Sequence, residues 1–302
     1  QNISANALQP ALLLAGKHPE WAAYMVAVSV LCLLDALKIE EAARLLSDFR
    51  TGAGTLQDHL EALLRVTESQ VLLLQGNATA AEPLYFRNVH YLESYYEHNL
   101  WNGFLLLIFG QAPHDYLRDS RQYYRSLEDS ARFYRTRGDV QRYLWSRSAA
   151  WLVRLSLGEG PGASREIGEF LTYLDNTGET GRTCAWGQLL GAVWHRTQGD
   201  LPRARKHLND AVYHATRRGY RTVTRLALLT LARVYREEGN LPAAEKTLRD
   251  LEKNTDFLKS PVNRAVYRLE QALVARARQE TVAAREHFRE ALDLYGSIQY
   301  HP

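Results

Sequence analysis

Three stretches of this chain repeat one another at a fixed step. Ala204, Ala244 and Ala284 lie 40 residues apart, as do Leu208, Leu248 and Phe288, and Ala211, Leu251 and Ala291. A small residue, a large apolar one a turn later and a third a turn beyond is the pattern of one buried helix face. Self-similarity at a period between about 20 and 50 residues marks a solenoid of stacked units. Such a unit cannot bury its apolar face alone, so the recurrence constrains the whole chain and not just three segments.

Each unit contains two helices. A stripe at Leu228, Leu231, Ala232 and Tyr235 runs up to Gly239, and a second stripe begins just beyond it. Glycine at the joint supplies a left-handed backbone conformation that other residues reach only with strain. Asp200 and Asn240 stand where an N-cap belongs. Pro202 and Pro242 occupy the first turn of the second helix, where no backbone donor is lost. Fainter units extend towards the N-terminus: one from Gly158 to Leu171 around Ala163, one from Gly76-Asn77 with Ala81 and Tyr85, and one from Lys38 to Phe49 with Ala43. With a degenerate unit near Arg121, the chain holds about seven units and some fourteen helices.

Composition agrees with this. Hydrophobic residues make up 46% and charged residues 24% of 302, a profile that argues against disorder. Only 19 Gly and 9 Pro disfavour an all-β fold with its many turns. Two cysteines, Cys32 and Cys184, build neither a disulfide framework nor a Cys-rich zinc site. The apolar runs Ala22 to Leu34 and Leu100 to Phe109 fall short of the roughly 20 residues that cross a bilayer, so both are expected as buried helices. No membrane partner follows, and a cytoplasmic location is expected. The chain begins at Gln1, which suggests a fragment or a processed chain.

Residues Leu231, Ala232, Tyr235, Ala244, Leu248 and Leu251 resemble the tetratricopeptide (TPR) repeat family. The match is clearest over residues 185–295, with degenerate repeats over 20–184. A step of 40 in place of the family's usual length of about 34 implies longer helices. Long repeats of this kind resemble those of kinesin light chains, of scaffold proteins that orient the spindle, and of bacterial regulators built like the maltose activator or other signal-transducing ATPases. The resemblance implies an all-α fold: a right-handed superhelical solenoid of about seven TPR-like helix-turn-helix repeats, with residues 1–302 as a single array. It further implies a non-catalytic interaction module of a larger regulatory or scaffold protein, whose first helices line a concave groove for an acidic or amphipathic protein or peptide segment. The alternative is a sensor domain that binds a small effector or signalling peptide in a bacterial transcriptional or signal-transduction regulator. Self-association is a further option for the partner.

The residues point to chemistry only faintly. No phosphate-binding GxxxxGK[ST] loop, HExxH or GxSxG elbow is present, so neither an enzyme nor a cofactor is expected. His90, Glu93 and Glu97 share a helix face near His98, and His207 and His214 lie seven apart. Both sets are better explained as ordinary helix faces than as metal ligands, and no metal is expected.

An arginine ladder is sharper. Arg196, Arg236 and Arg276 recur at the forty-residue step, each one residue after the aromatic position of the first helix, and Arg233 falls on the same face. A column of guanidinium groups suits a carboxylate-rich or phosphorylated ligand. Alternatively, each arginine pairs with a glutamate such as Glu237 or Glu238 on a neighbouring helix. Trp186, Leu189, Leu226, Leu229, Val266 and Leu269 share that face and favour an amphipathic helix as ligand. A second candidate surface is aromatic. Between Tyr85 and Tyr134 stand 13 Phe, Trp and Tyr residues, among them Tyr95, Tyr96, Trp101, Tyr123 and Tyr124. Such rings give rigid contact area at a binding surface, or else fill space in irregular repeats.

Charge is uneven. Residues 118–225 hold nineteen Lys and Arg against eleven Asp and Glu, whereas the whole chain is only +3. The basic middle favours an acidic partner. A pI of 8.8 and acidic ends argue against nucleic acid, which needs a continuous basic stripe.

Overall fold

The structure, a computed structural model, describes residues 3–36, 38–95, 120–159, 163–176, 178, 181–253 and 257–297. Among these residues there are fourteen α-helices and no strand. The fold class is all-α, a solenoid of stacked helical pairs, as the forty-residue step requires. The helices group into two compact units, divided between the fifth and sixth helices, where the repeat motif is faintest.

The first unit contains α1 (Ile3–Ala15), α2 (Pro19–Asp35), α3 (Ile39–Ala53), α4 (Asp58–Leu74) and α5 (Ala78–Tyr95). In α2 the run Ala22, Val26, Val30 and Leu33 steps by three and four and is wholly buried, so the apolar stretch from Ala22 to Leu34 is a core helix. It packs on α1, α3 and α4. Ala42, and not the neighbouring Ala43, is the wholly buried small residue of α3, with Leu45, Leu46 and Phe49 on the same side. The motif is therefore displaced by one residue there. Arg50 ties α3 to α4 by ion pairs to Glu68 at 2.7 Å and Glu61 at 3.6 Å.

The second unit contains α6 (Ser120–Thr136), α7 (Val140–Ser156), α8 (Ser164–Asn176), α9 (Arg182–Thr197), α10 (Leu201–Arg218), α11 (Arg221–Glu237), α12 (Leu241–Glu252), α13 (Pro261–Ala277) and α14 (Thr281–Ser297). Of α13 and α14 it takes residues 263–295. Here α7, α9, α11 and α13 are the first helices of their pairs, and α8, α10, α12 and α14 the second. Consecutive first helices touch, α7 on α9 and α9 on α11.

The joints inside the pairs are built alike. Gly199 and Gly239 both adopt φ of +77°. Beyond each, a backbone bond runs back five residues, Asp200 N to His195 O at 2.9 Å and Asn240 N to Tyr235 O at 2.8 Å, the Schellman closure. The side chains of Asp200 and Asn240 then cap α10 and α12, accepting from Arg203 N and Ala243 N. At the third joint Gln279 stands in the glycine position. It is the one non-glycine residue with positive φ among the described residues, at +63°, and the Glu280 N to Ala275 O bond closes as before.

Packing follows the motif. Ala204, Leu208 and Ala211 are wholly buried, and Ala244, Leu248 and Leu251 nearly so. Alanine at the first position lets paired helices approach, and the leucine a turn later fills the gap. A buried Leu→Ala change at such a site costs about 2 to 5 kcal/mol. Among the described residues, no helix is long and apolar enough to cross a membrane.

Candidate functional site on the first helices

The arginine ladder lies on α9, α11 and α13, but it is not an open column. Arg196 grips the Glu237 carboxylate through Nε at 2.9 Å and Nη2 at 2.6 Å. Glu237 belongs to the next first helix, so the fork ties α9 to α11. Arg236 lies beside the same carboxylate, with Nη2 at 3.8 Å. Arg233 donates its Nε hydrogen to Glu270, and so ties α11 to α13. Arg276 is exposed, its guanidinium 6.0 Å from the centre of the Phe288 ring. Two rungs are thus inter-repeat clamps, and the pairing alternative raised by the sequence describes them.

The apolar residues of the same face divide in two. Trp186, Leu189 and Leu229 are buried and offer little surface to a ligand. Trp186 meets Trp145 of α7 edge-on, with ring centres 6.4 Å apart, so its area is used in packing successive first helices. Leu226, Val266 and Leu269 remain half-exposed, and the first two of these are one step apart. The sequence pattern did not separate the two groups, because both lie on one helix face and differ only in what the next helix covers.

Of the aromatic candidates, Tyr96 and Trp101 lie outside the described residues, and the side chains of Tyr95 and Tyr123 are likewise not described. Tyr124 is half-buried on α6. Burial pushes its hydroxyl above the ordinary phenol range, and the Glu128 carboxylate adds to the effect. Glu128 in turn accepts from Arg147 of α7, whose guanidinium lies 4.4 Å from the centre of the Trp151 ring. The side chains of His90 and Glu93 are not described, and Glu97 and His98 fall outside the described residues.

A histidine pair joins α9 to α10. His195 and His207 stack with ring centres 5.1 Å apart and planes 15° from parallel, and His207 Nδ1 bonds to Gln188 Oε1 at 2.6 Å. Burial lowers the pKa of both imidazoles, and His195 lowers that of His207 further. Two stacked neutral rings are the arrangement that burial favours, because charging either would place a cation against its neighbour. His214, on the same helix as His207, packs edge-on against Tyr213 instead.

No protein-family model matches the sequence, and no curated protein sequence matches it. Among solved structures the chain is similar to the crystal structure of a Rap protein complexed with Competence and Sporulation Factor. The TM-score is 0.61 at 11% identity, over 98% of this chain and 98% of that one. The fold is a TPR-like helical repeat. At that identity the likeness is one of fold, and the site rests on the geometry above. In TPR-like terms, the clamps Arg196–Glu237 and Arg233–Glu270 join first helix to first helix across successive repeats. They fix the spacing of the row on which Leu226, Val266 and Leu269 stand. A row of half-exposed apolar side chains at a fixed spacing, edged by arginine, can hold an amphipathic segment.

Proposed function

We propose that the chain is a non-catalytic interaction module that binds an amphipathic protein or peptide segment along its first helices. The apolar side of the segment lies on Leu226, Val266 and Leu269, and an acidic residue reaches Arg276. The observation that carries this reading is the half-exposed pair Leu226 and Val266, one forty-residue step apart on helices clamped to one another by Arg233 and Glu270. Apolar area held at a set spacing is complementary to the i, i+3, i+4 anchors of a partner helix. The role of Arg196 and Arg233 is then to position the row, and acidic attraction comes from the charge excess of residues 118–225 as a whole. The fold likeness supports the reading, since that Rap protein is complexed with a factor.

The test is a selection of displayed random peptides, roughly twelve residues long, against the intact chain, followed by fluorescence anisotropy of the winners. In the Leu226→Glu, Val266→Glu double variant, affinity should fall by about tenfold or more. Leu292→Glu, on the exposed side of α14, should leave it unchanged. Equal affinity in the first variant overturns the proposal.

A further inference from the structure

The second helices α10 and α12 are each followed by a first helix stacked against them, α11 and α13, and the forty-residue step shows what such a helix brings. Three positions of the second helix carry the contact. At the first, Arg205 of α10 pairs with Glu238 of α11 at 3.3 Å, and Glu245 of α12 pairs with Arg278 of α13. Arg205 and Glu245 are 40 residues apart, and so are Glu238 and Arg278, so the two pairs are one joint with its charges exchanged. At the second position, Leu208 and Leu248 are 0% and 3% exposed. At the third, Val212 is half-buried, and Glu252 accepts a hydrogen bond from the Tyr267 hydroxyl of α13 at 3.1 Å.

In α14 these positions are Arg285, Phe288 and Leu292. They are three and four residues apart, so they share one face of the helix. That face is open. Arg285 is exposed and makes no ion pair among the described residues. Phe288 is half-exposed where the equivalent leucines are buried, and Leu292 is 71% exposed. Repeats are held by their nearest neighbours, and a terminal repeat needs a polar outer face to stay soluble. An apolar face in that place is an uncovered interface.

The chemistry of the face selects its occupant. Arg285 and Leu292 repeat the cation and the aliphatic side chain of Arg205 and Val212, not the carboxylates of Glu245 and Glu252. The helix that follows α10 is α11, which is apolar along its length and carries Glu238 at its C-terminal end. We propose that this face of α14 docks a helix of a partner protein with the same character: apolar side chains on Phe288 and Leu292, and a carboxylate near its C-terminal end paired with Arg285. A second copy of the chain is poorly suited to the place, because its own α11 is already packed on α10. The surface is separate from the first-helix row, and the proposal holds whether or not that row binds a peptide.

The test uses the α11 sequence as probe, a fluorescein-labelled synthetic peptide of residues 221–240 titrated with the intact chain. Such a peptide must order its own helix, so anisotropy should give a Kd on the order of 0.1 mM. Leu292→Glu, which leaves the first-helix row untouched, should weaken binding by about tenfold or more. Arg285→Glu should weaken it by about fivefold, and so should Glu238→Arg in the peptide. The two changes together should restore it, as the reversed joint of Glu245 and Arg278 leads one to expect. Both positions in the chain are exposed, so the fold should survive, which circular dichroism checks. No binding up to about 0.5 mM chain, equal affinity in Leu292→Glu, or additive losses in the charge exchange each overturns the proposal. Sedimentation of the chain alone tests the other occupant: a dimer dispersed by Leu292→Glu would give the face to a second copy and overturn the proposal as well. The Leu226→Glu, Val266→Glu variant separates the two claims, and it should bind the α11 peptide as the unaltered chain does. Binding lost there, with the α14 variants silent, places the peptide on the first-helix row, which removes the docking face and keeps the interaction module.

Discussion

Arg233 and Glu270 stand 37 residues apart in the chain and are joined by a charge-assisted hydrogen bond between successive first helices. The pair is lopsided. Glu270 is 2% exposed, whereas the Arg233 side chain is a third open to solvent. The buried carboxylate depends on its arginine far more than the arginine depends on it.

Removing the arginine should therefore be severe. Arg233→Ala leaves the Glu270 carboxyl buried without this partner, and stability should fall by about 2 to 4 kcal/mol. Arg196→Ala breaks a pair that is open on both sides and should cost no more than about 1 kcal/mol. The double change Arg233→Met, Glu270→Leu should recover most of the first loss, because an apolar pair of similar size needs no desolvation. Urea unfolding of the intact chain, with hydrogen exchange read in α11 and α13, distinguishes these outcomes. Equal losses in the two single variants would show that burial of Glu270 does not govern the clamp.

The third intra-pair joint carries avoidable strain. Gln279 holds a left-handed φ where Gly199 and Gly239 stand in the preceding repeats. A side chain in that region costs roughly 1 kcal/mol. Gln279→Gly should thus raise stability by about 0.5 to 1 kcal/mol despite the greater freedom of glycine in the unfolded chain, and Gly239→Gln should lower it by a similar amount. Melting curves of the two variants are expected to move in opposite directions. A fall in the first would mean that the Gln279 side chain contributes a contact worth more than the strain.

These features were unevenly legible. The apolar stripes of α10, α12 and α14, each opening on a buried alanine, were plain in the sequence, because close helix packing admits few residues at those positions. The arginine step was visible too, but its meaning was not. The partners Glu237 and Glu270 lie 41 and 37 residues on, so neither falls on the forty-residue step, and only the relative phase of two helices brings them to the guanidinium. Burial of Trp186 but not of Val266 likewise depends on what the neighbouring helix covers.

The stacked histidines give a pH dependence of known sign. Burial lowers both folded-state pKa values below the ordinary imidazole value of about 6.5. The unfolded chain then binds protons that the folded chain refuses, so the stability contributed by the pair is fully present above about pH 6.5 and is lost as the pH falls through the lowered values. The melting temperature should decline between about pH 7 and pH 5, and His207→Gln, which cannot take a proton, should flatten that decline. An unchanged slope in the variant would assign the acid sensitivity to other groups.

Gly187 shows most directly how close the helices of neighbouring repeats approach. A Cβ built there would lie 1.9 Å from Leu174 Cδ2, and Leu174 is buried between α8 and α9. At an open helical site Gly→Ala stabilises by about 1 kcal/mol through propensity alone. At Gly187 the sign should reverse. The methyl group displaces Leu174 from a filled interior, and a net loss of about 1 to 3 kcal/mol is expected. Gly168→Ala on α8 is the matched control, since its nearest neighbour, the Trp194 ring, lies at an ordinary 3.9 Å. That variant should gain stability. If the clash is the cause, Leu174→Ala in the Gly187→Ala background should cost much less than Leu174→Ala alone, because the new methyl group occupies part of the space that the leucine vacates. Additive losses in this cycle would show that α8 and α9 do not meet at these two residues.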